Sequence, residues 1–310
     1  MADAAAPVFK RLAIIGHGLI GSSISRAVRR ADGLIDHIAV ADNDPATRAA
    51  SAALELADSI HDDPLAAATG ADCVVLCTPV GTYGDLARAL APALAPGCII
   101  TDVGSIKRIV SHDVAGHLPD GVHLIPGHPL AGTEKSGPEA GFAELFDGRY
   151  WILTPPEGAD PEAVARLAKL WRGVGAIVEI MDEEYHDQVL ALTSHLPHLI
   201  SYTIVATAVD LEEHMKRDVI RFAASGFRDF TRLAGSNPVM WRDVFLNNSS
   251  AVLEMLQRFQ EDLTYLQRAI RRGDGDTLEN LFTRTREIRR GVIEAKQDVP
   301  PQPKDGANGD

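Results

Sequence analysis

The segment Gly16-His17-Gly18-Leu19-Ile20-Gly21 follows a short apolar run at residues 12–15 and opens a helical stretch at 19–30. A Gly-x-Gly-x-x-Gly turn in that place constrains the chain more than any other feature. Gly16 permits the tight turn, Gly18 lets backbone approach a pyrophosphate, and Gly21 lets the helix pack closely on the strand. The helix N-terminus then offers unpaired N–H groups to phosphates. A second strand is expected at 37–41, and Asp42 ends it, ~20 residues downstream as a dinucleotide fingerprint requires. The Asp42 carboxylate can accept both ribose hydroxyls and would repel a 2′-phosphate, which favours NAD over NADP. Asn43 and Arg48 lie close enough in sequence to soften that preference. A glycine turn of purely structural use is the alternative. Strand, helix and acidic residue in register argue against it.

The rest of the first half repeats the strand-then-helix pattern. Continuous apolar runs at 73–77, 98–101, 123–125, 150–153 and 176–180 alternate with helical stretches such as 83–94 and 161–171. Continuous rather than alternating runs fit strands covered on both faces. The expected fold is therefore α/β, an N-terminal Rossmann-type doubly wound, mostly parallel sheet. Beyond residue 182 no strand signal persuades, and 190–211, 252–270 and 278–293 carry helical apolar spacing. We expect an all-α C-terminal domain whose apolar helices are covered by a second copy of the chain. The expected boundaries are a flexible N-terminus at 1–9, an NAD-binding domain at 10–181, a helical substrate and dimerisation domain at 182–297, and a disordered tail at 298–310.

Composition limits the partners. The formal net charge of −13 and pI of about 5.3 make nucleic acid and anionic membrane surfaces poor partners. An anionic ligand must then be held by local cations. Three cysteines, Cys73, Cys77 and Cys98, are too few for a disulfide framework, which fits a reducing cytoplasm. No apolar run reaches ~18 residues, so no membrane-spanning helix is expected. The first ten residues lack the apolar core of a signal peptide.

Four further segments narrow the function. Asp102-Val103-Gly104-Ser105-Ile106-Lys107 and His128-Pro129-Leu130-Ala131-Gly132-Thr133-Glu134-Lys135-Ser136-Gly137 each follow an expected strand. Thr193-Ser194-His195-Leu196-Pro197-His198 falls in the helical half, as does the stretch from Phe227 through Arg232 and Asn237-Pro238 to Trp241 and Asp243. Together these closely resemble the prephenate/arogenate dehydrogenase family of tyrosine biosynthesis, over residues 10–297. The resemblance implies oxidative decarboxylation of a cyclohexadienol. Hydride passes to NAD, carbon dioxide leaves, and the ring becomes aromatic.

The resemblance assigns His128 as the base for the hydroxyl proton, and a neutral imidazole suits that task near pH 7. It makes Ser105 a catalytic partner that bonds the substrate hydroxyl; capping a helix at Ile106 is the structural alternative. It places His195 and His198 near nicotinamide and substrate. Three residues apart, they share a helix face, but no further ligand completes a metal site, and no metal is expected. Arg232 is the expected grip on a substrate carboxylate, by a bidentate guanidinium contact. Arg228 and Arg242 read as solvated surface charges. Thr133 and Glu134 resemble a gating loop, with a plain surface loop as the alternative for Glu134. Trp241 is expected at the site's edge or in a dimer core. Asn237, uncharged beside Arg232, admits prephenate and leaves arogenate as a second substrate; otherwise it only starts a turn. Thr78 and Pro79, after the 73–77 strand, and Ser105 join Gly16, His17, Gly18, Leu19, Ile20, Gly21 and Asp42 as expected cofactor contacts.

Two other functions compete. A β-hydroxyacid dehydrogenase would need a catalytic lysine, and Lys169, Lys216 and Lys296 lack the setting for one. A non-catalytic NAD-sensing dimer would need the glycines and Asp42 but not Ser105, His128 and Arg232 together. No mutase-like or regulatory segment is expected outside 10–297, so the sequence predicts a monofunctional enzyme. The Gly-Asp-Gly-Asp run at 273–276 lacks the ligands of a calcium loop and reads as a turn.

Overall fold

The computed structural model describes residues 6–133, 135–209, 218 and 221–294. Contacts divide the chain into two units. Among described residues, the first holds residues up to Leu190 together with Gly235–Asn247, and the second holds Ala191–Ala234 and the stretch from Asn248 onward.

The first unit is built on six parallel strands, β1 (Phe9–Ile15), β2 (Ile35–Ala41), β3 (Ser59–His61), β4 (Cys73–Leu76), β5 (Ile99–Asp102) and β6 (His123–Leu124), in the order β3-β2-β1-β4-β5-β6. Both faces are apolar because successive side chains point to opposite sides. Leu12, Ile14, Cys73 and Val75 enter one core cluster. Their neighbours Ala13, Ile15, Val74 and Leu76 enter the other. Helix α1 (Leu19–Arg30) follows β1 through the glycine turn. Helices α2 (Pro45–Ala53) and α3 (Pro64–Ala68) begin at Asp44 and Asp63, each of which caps its helix through its carboxylate before a proline. Helices α4 (Tyr83–Leu90) and α5 (Arg108–Ala115) complete the crossovers.

The runs at 150–153 and 176–180 do not extend the main sheet. They form β8 (Tyr150–Leu153) and β9 (Ile177–Ile180) of a second, three-stranded sheet with β7 (Gly127–Pro129), which pairs antiparallel to β8. Strand β9 is an edge with Ile177 and Ile180 42% and 54% exposed, so it is not covered on both faces. Trp151 of β8 stacks on Trp171 of α6 (Pro161–Gly173) at 3.7 Å between ring centroids. The N-terminal arm also ends earlier than expected: Val8 and Phe9 are buried. The Arg166 guanidinium lies 4.2 Å from the centre of the Phe9 ring and donates to the Val8 carbonyl.

Helix α7 (Glu183–Leu190) packs with the first unit although it lies beyond the expected boundary at 181. A π-helical turn, Ala191–His195, and helix α8 (Leu196–Val209) follow. Pro197 cannot donate a backbone hydrogen bond, and a π-turn just before it relieves that loss. The span Glu183–Ala208 is long and apolar enough to cross a membrane by length and composition, at mean hydropathy 1.3, contrary to expectation. The second unit continues with α9 (Ser225–Thr231), and the segment returning to the first unit carries α10 (Pro238–Asn247). Helices α11 (Ser249–Arg272) and α12 (Gly275–Glu294) are joined by Gly273, which is left-handed at φ 67°. Gly273 and Asp274 of the 273–276 run make the expected turn, and Gly275 and Asp276 open α12. The expected tail at 298–310 lies outside the described residues.

Two buried polar groups fix the turns that matter for function. The His17 ring bonds Ser51 Oγ at 2.7 Å and Ser25 Oγ at 2.9 Å, tying the glycine turn to α1 and α2. Burial, with a smaller contribution from Arg26, lowers its pKa to about 4. Lys107 and Asp102 form an ion pair at 2.5 Å with both side chains inaccessible. Asp102 also accepts from the Gly104 and Gly127 amides, and Lys107 donates to the Gly127 carbonyl. Strand β7 is therefore bolted to the end of β5 through side chains.

Because folding lowers the His17 pKa, the unfolded chain binds that proton more readily between pH 6.5 and about 4. Stability contributed by neutral His17 is lost as pH falls through that window. Urea unfolding at a series of pH values should show that slope, and His17→Gln should flatten it. Lys107→Met should lower stability by about 3–5 kcal/mol, because it leaves Asp102 buried without its partner; the shift in urea midpoint measures it.

Candidate active site

At the carboxyl ends of β1, β2 and β4 lies a cleft of about 390 Å³, bounded by Gly16, Gly18, Asp42, Asp62, Thr78 and Pro79 among others. This is where an open parallel sheet binds ligands. Gly16 has φ 93°, and a Cβ there would lie 2.9 Å from the Cys77 backbone. A Cβ on Gly21 would stand 2.3 Å from the Gly16 carbonyl oxygen, so the third glycine serves close helix–strand packing. A Cβ on Gly18 would meet no protein atom within 4 Å. That space lies on the cleft side, where a ligand's phosphates would need it. No side chain caps α1, so its first N–H groups remain for an anion.

Asp42 is held in place rather than merely present. It accepts from the His17 amide at 2.8 Å and from the Asp44 amide at 2.9 Å. Arg48, expected to soften the preference for NAD, donates instead to the Asp42 backbone carbonyl. The lining carries two carboxylates, Asp42 and Asp62, and no basic side chain. A 2′-phosphate would find repulsion there. The residues present therefore fit NAD. His17 differs from its expected place: its side chain is buried behind the turn and is not among the cleft's lining. Leu19, Ile20 and Gly21 are also outside the lining.

His128 is on β7, 9% exposed, rather than in a loop after β6. Its Nδ1 lies 2.9 Å from Nε2 of His186. The Nδ1 of His186 lies 2.8 Å from Asp187 Oδ1. Asp187 also accepts the Lys107 and Arg108 amides at 2.8 and 3.2 Å. A carboxylate from α7 thus caps α5, where the helix dipole favours it. Ser105 is half-buried in the same β5–α5 connection. Its expected alternative as a cap is corrected, because α5 starts only at Arg108.

In the second unit, His195 is fully buried with Nδ1 3.2 Å from the Asn248 amide nitrogen. The Nδ1–H of His198 donates to the Ser194 carbonyl at 2.8 Å. Burial lowers the His198 pKa, and Arg232 adds to the effect, so those two residues are neighbours. No cluster of metal-ligating residues exists among the described residues.

Trp241 is buried on α10 against Phe245. That helix groups with the first unit, where Asp243 Oδ2 lies 3.7 Å from where a Cβ on Gly81 would be. Asn237 is the cap of α10: its side-chain oxygen accepts from Val239 and Met240. Thr133 is half-buried and accepts from the Lys135 amide. Glu134 lies outside the described residues.

His186 and Asp187 escape a motif search, and Asp102 and Lys107, although they bound one of the quoted segments, were given no role there. Their signal is polarity on a buried face. His186 and Asp187 share the buried side of α7 with Leu190, and Asp102 ends a strand that is otherwise apolar.

Comparison with known proteins bears on both halves. Residues 24–180 match the family model described as prephenate dehydrogenase, nucleotide-binding domain. Residues 182–284 match prephenate dehydrogenase, dimerization domain. The chain is 41% identical to cyclohexadienyl dehydrogenase of Zymomonas mobilis, covering 95% of this chain and 99% of that one. It is 33% identical to prephenate dehydrogenase of Bacillus subtilis over 90% of this chain and 75% of that one. The crystal structure of prephenate dehydrogenase from A. aeolicus with hydroxyphenyl propionate and NAD+ superposes with TM-score 0.85 at 31% identity, covering 91% and 98% of the two chains. Both halves of the chain and the NAD-shaped cleft thus agree, and the chain belongs to the prephenate dehydrogenase family, the NAD-dependent dehydrogenases of tyrosine biosynthesis.

Proposed function

We propose that the protein oxidises and decarboxylates prephenate with NAD, giving 4-hydroxyphenylpyruvate and carbon dioxide, and takes arogenate as a second substrate. The observation that carries this reading is His128, a nearly buried imidazole whose Nδ1 is engaged by His186, in the same unit as the NAD-shaped cleft. The name of the Zymomonas mobilis relative, a cyclohexadienyl dehydrogenase, supports acceptance of both substrates.

The glycine turn and the α1 N-terminus hold the pyrophosphate, and Asp42 receives the adenosine ribose. When bound, NAD supplies the hydride acceptor. His128 takes the proton from the ring hydroxyl as hydride departs, a contribution of ~10²–10⁴-fold in rate for general-base help. Ser105 donates to or accepts from that hydroxyl and holds it toward His128. Loss of the ring carboxylate makes the ring aromatic, which drives the step. Arg232 grips the side-chain carboxylate, and His198, neutral beside it, does not compete for that charge. His195, Thr133, Glu134 and Trp241 complete the substrate contacts. Asn237 uses its oxygen as a helix cap, so its amide group faces a ketone with donors, which suits prephenate.

The protein acts as a cytoplasmic homodimer. Support comes from the dimerization-domain match and from Leu253, Leu263, Ile270, Phe282 and Ile288, which α11 and α12 leave exposed. The free cysteines, two of them buried, fit a reducing compartment. Nucleic acid and membranes are not partners: net charge of −13 opposes the first. The first turns of the apolar span Glu183–Ala208 are tied to α5 by Asp187, which opposes its insertion in a membrane.

Asp42→Ala should narrow the preference for NAD over NADP, because it removes a ribose acceptor and a repelling charge together; kcat/KM with each cofactor reads this. Equal use of both by the unmodified protein would overturn the assignment. His128→Asn should keep NAD binding and lose ~10²–10⁴-fold in kcat with prephenate. Arg232→Ala should chiefly raise KM, since a carboxylate grip acts in the ground state as well.

A further inference from the structure

We propose that His186, anchored by Asp187, is a positioning residue that holds the proton of His128 on Nδ1 and so makes Nε2 the basic nitrogen. The inference rests on the reading of His128 as the base.

The order of protons follows from the chemistry of the chain's far end. Asp187 accepts from two backbone amides, Lys107 and Arg108. A carboxylate oxygen has no proton to offer, so His186 Nδ1, 2.8 Å away, is the donor. A neutral His186 then has its lone pair on Nε2. At 2.9 Å from that lone pair, His128 Nδ1 must carry a proton. The opposite tautomer of His128 would set two lone pairs against each other in a buried site, a costly arrangement. His128 Nε2 is left unprotonated, as a base requires.

The premise that His186 is neutral has its own support. It is fully inaccessible, and burial is the leading cause of its lowered pKa. The groups facing it are His128 from β7, Asp187 on its own helix, and the Lys107–Asp102 pair from the β5–α5 connection. Lys107 lowers its pKa further, whereas Asp187 and Asp102 raise it. The Lys107 ammonium is itself matched by Asp102 at 2.5 Å. His186 therefore stays a neutral acceptor between a carboxylate and the base. Its ring, edge-on to His128 with centroids 5.1 Å apart, also fixes the plane of the base.

When His128 takes the substrate proton, its Nδ1–H continues to donate to His186, which is polarised by Asp187. That contact stabilises the imidazolium and raises the His128 pKa. Losing it should make His128 a weaker base, in the wrong tautomer for part of the time. His186→Leu should reduce kcat by about 10- to 100-fold, a fraction of the whole general-base contribution, and shift the acidic limb of the kcat/KM profile to lower pH. A loss of packing alone would lower activity without moving that limb. His186→Gln, whose side-chain oxygen can accept from His128 Nδ1–H, should recover much of both.

The test joins the two variants to a measurement that needs neither. Nitrogen-15 spectra of histidine-labelled, unmodified protein, with His128 assigned by its absence in His128→Asn, should show the proton on Nδ1. A proton on Nε2 would overturn the proposal. So would a folded His186→Leu protein with unchanged kcat and an unmoved acidic limb. If His186→Leu does not fold, the spectrum and His186→Gln still decide. Should His128→Asn retain full turnover, the base reading itself fails. If that variant is inactive while the spectrum or the profile goes against His186, only the positioning role fails.

Discussion

The buried carboxylate of Asp102 is the joint on which the catalytic half depends. It ends β5, accepts from Gly104 and Gly127, and pairs with Lys107, which in turn donates to the Gly127 carbonyl. A charge buried this deeply is tolerated only when paired and fully bonded. The return is geometric. Gly127 immediately precedes His128, so the pair fixes the strand that carries the imidazole against the sheet that forms the nucleotide cleft. Asp187 adds a second joint by capping α5 from α7. Two carboxylates thereby connect β5, α5, β7 and α7.

The same economy appears at the cofactor end. The glycine turn is not a loose loop. Its His17 side chain is locked between Ser25 and Ser51, and its His17 amide holds Asp42 in position. One residue thus sets both the shape of the glycine turn and the placement of the Asp42 carboxylate. The His17 side chain supports the turn from behind.

Much of this was legible in the residues. The strands at 73–76 and 150–153 and helix 19–30 announce themselves because burial on both faces demands continuous apolar runs, and because a Gly-x-Gly-x-x-Gly turn admits few surroundings. The second sheet was not legible. Apolar runs at 150–153 and 176–180 look alike whether they join the main sheet or a separate one, and β7 is only Gly127–Pro129, too short for a periodic signal. His128 was singled out through its flanking motif. Its support was not, because His186 and Asp187 are adjacent on a helix, and nothing local tells a buried polar pair from a solvated one. The boundary was blurred for a similar reason: α7 belongs with the first unit through long-range contacts of Glu183, His186 and Asp187 that periodicity cannot express.

The central claim is that one site couples hydride removal to loss of the ring carboxylate. Purified protein supplied with prephenate and NAD should release carbon dioxide and NADH in equal amounts throughout the reaction, measured together by gas analysis and absorbance. NADH formed without matching carbon dioxide would make this a simple hydroxyl dehydrogenase and contradict the account, as would the absence of NADH formation with either prephenate or arogenate.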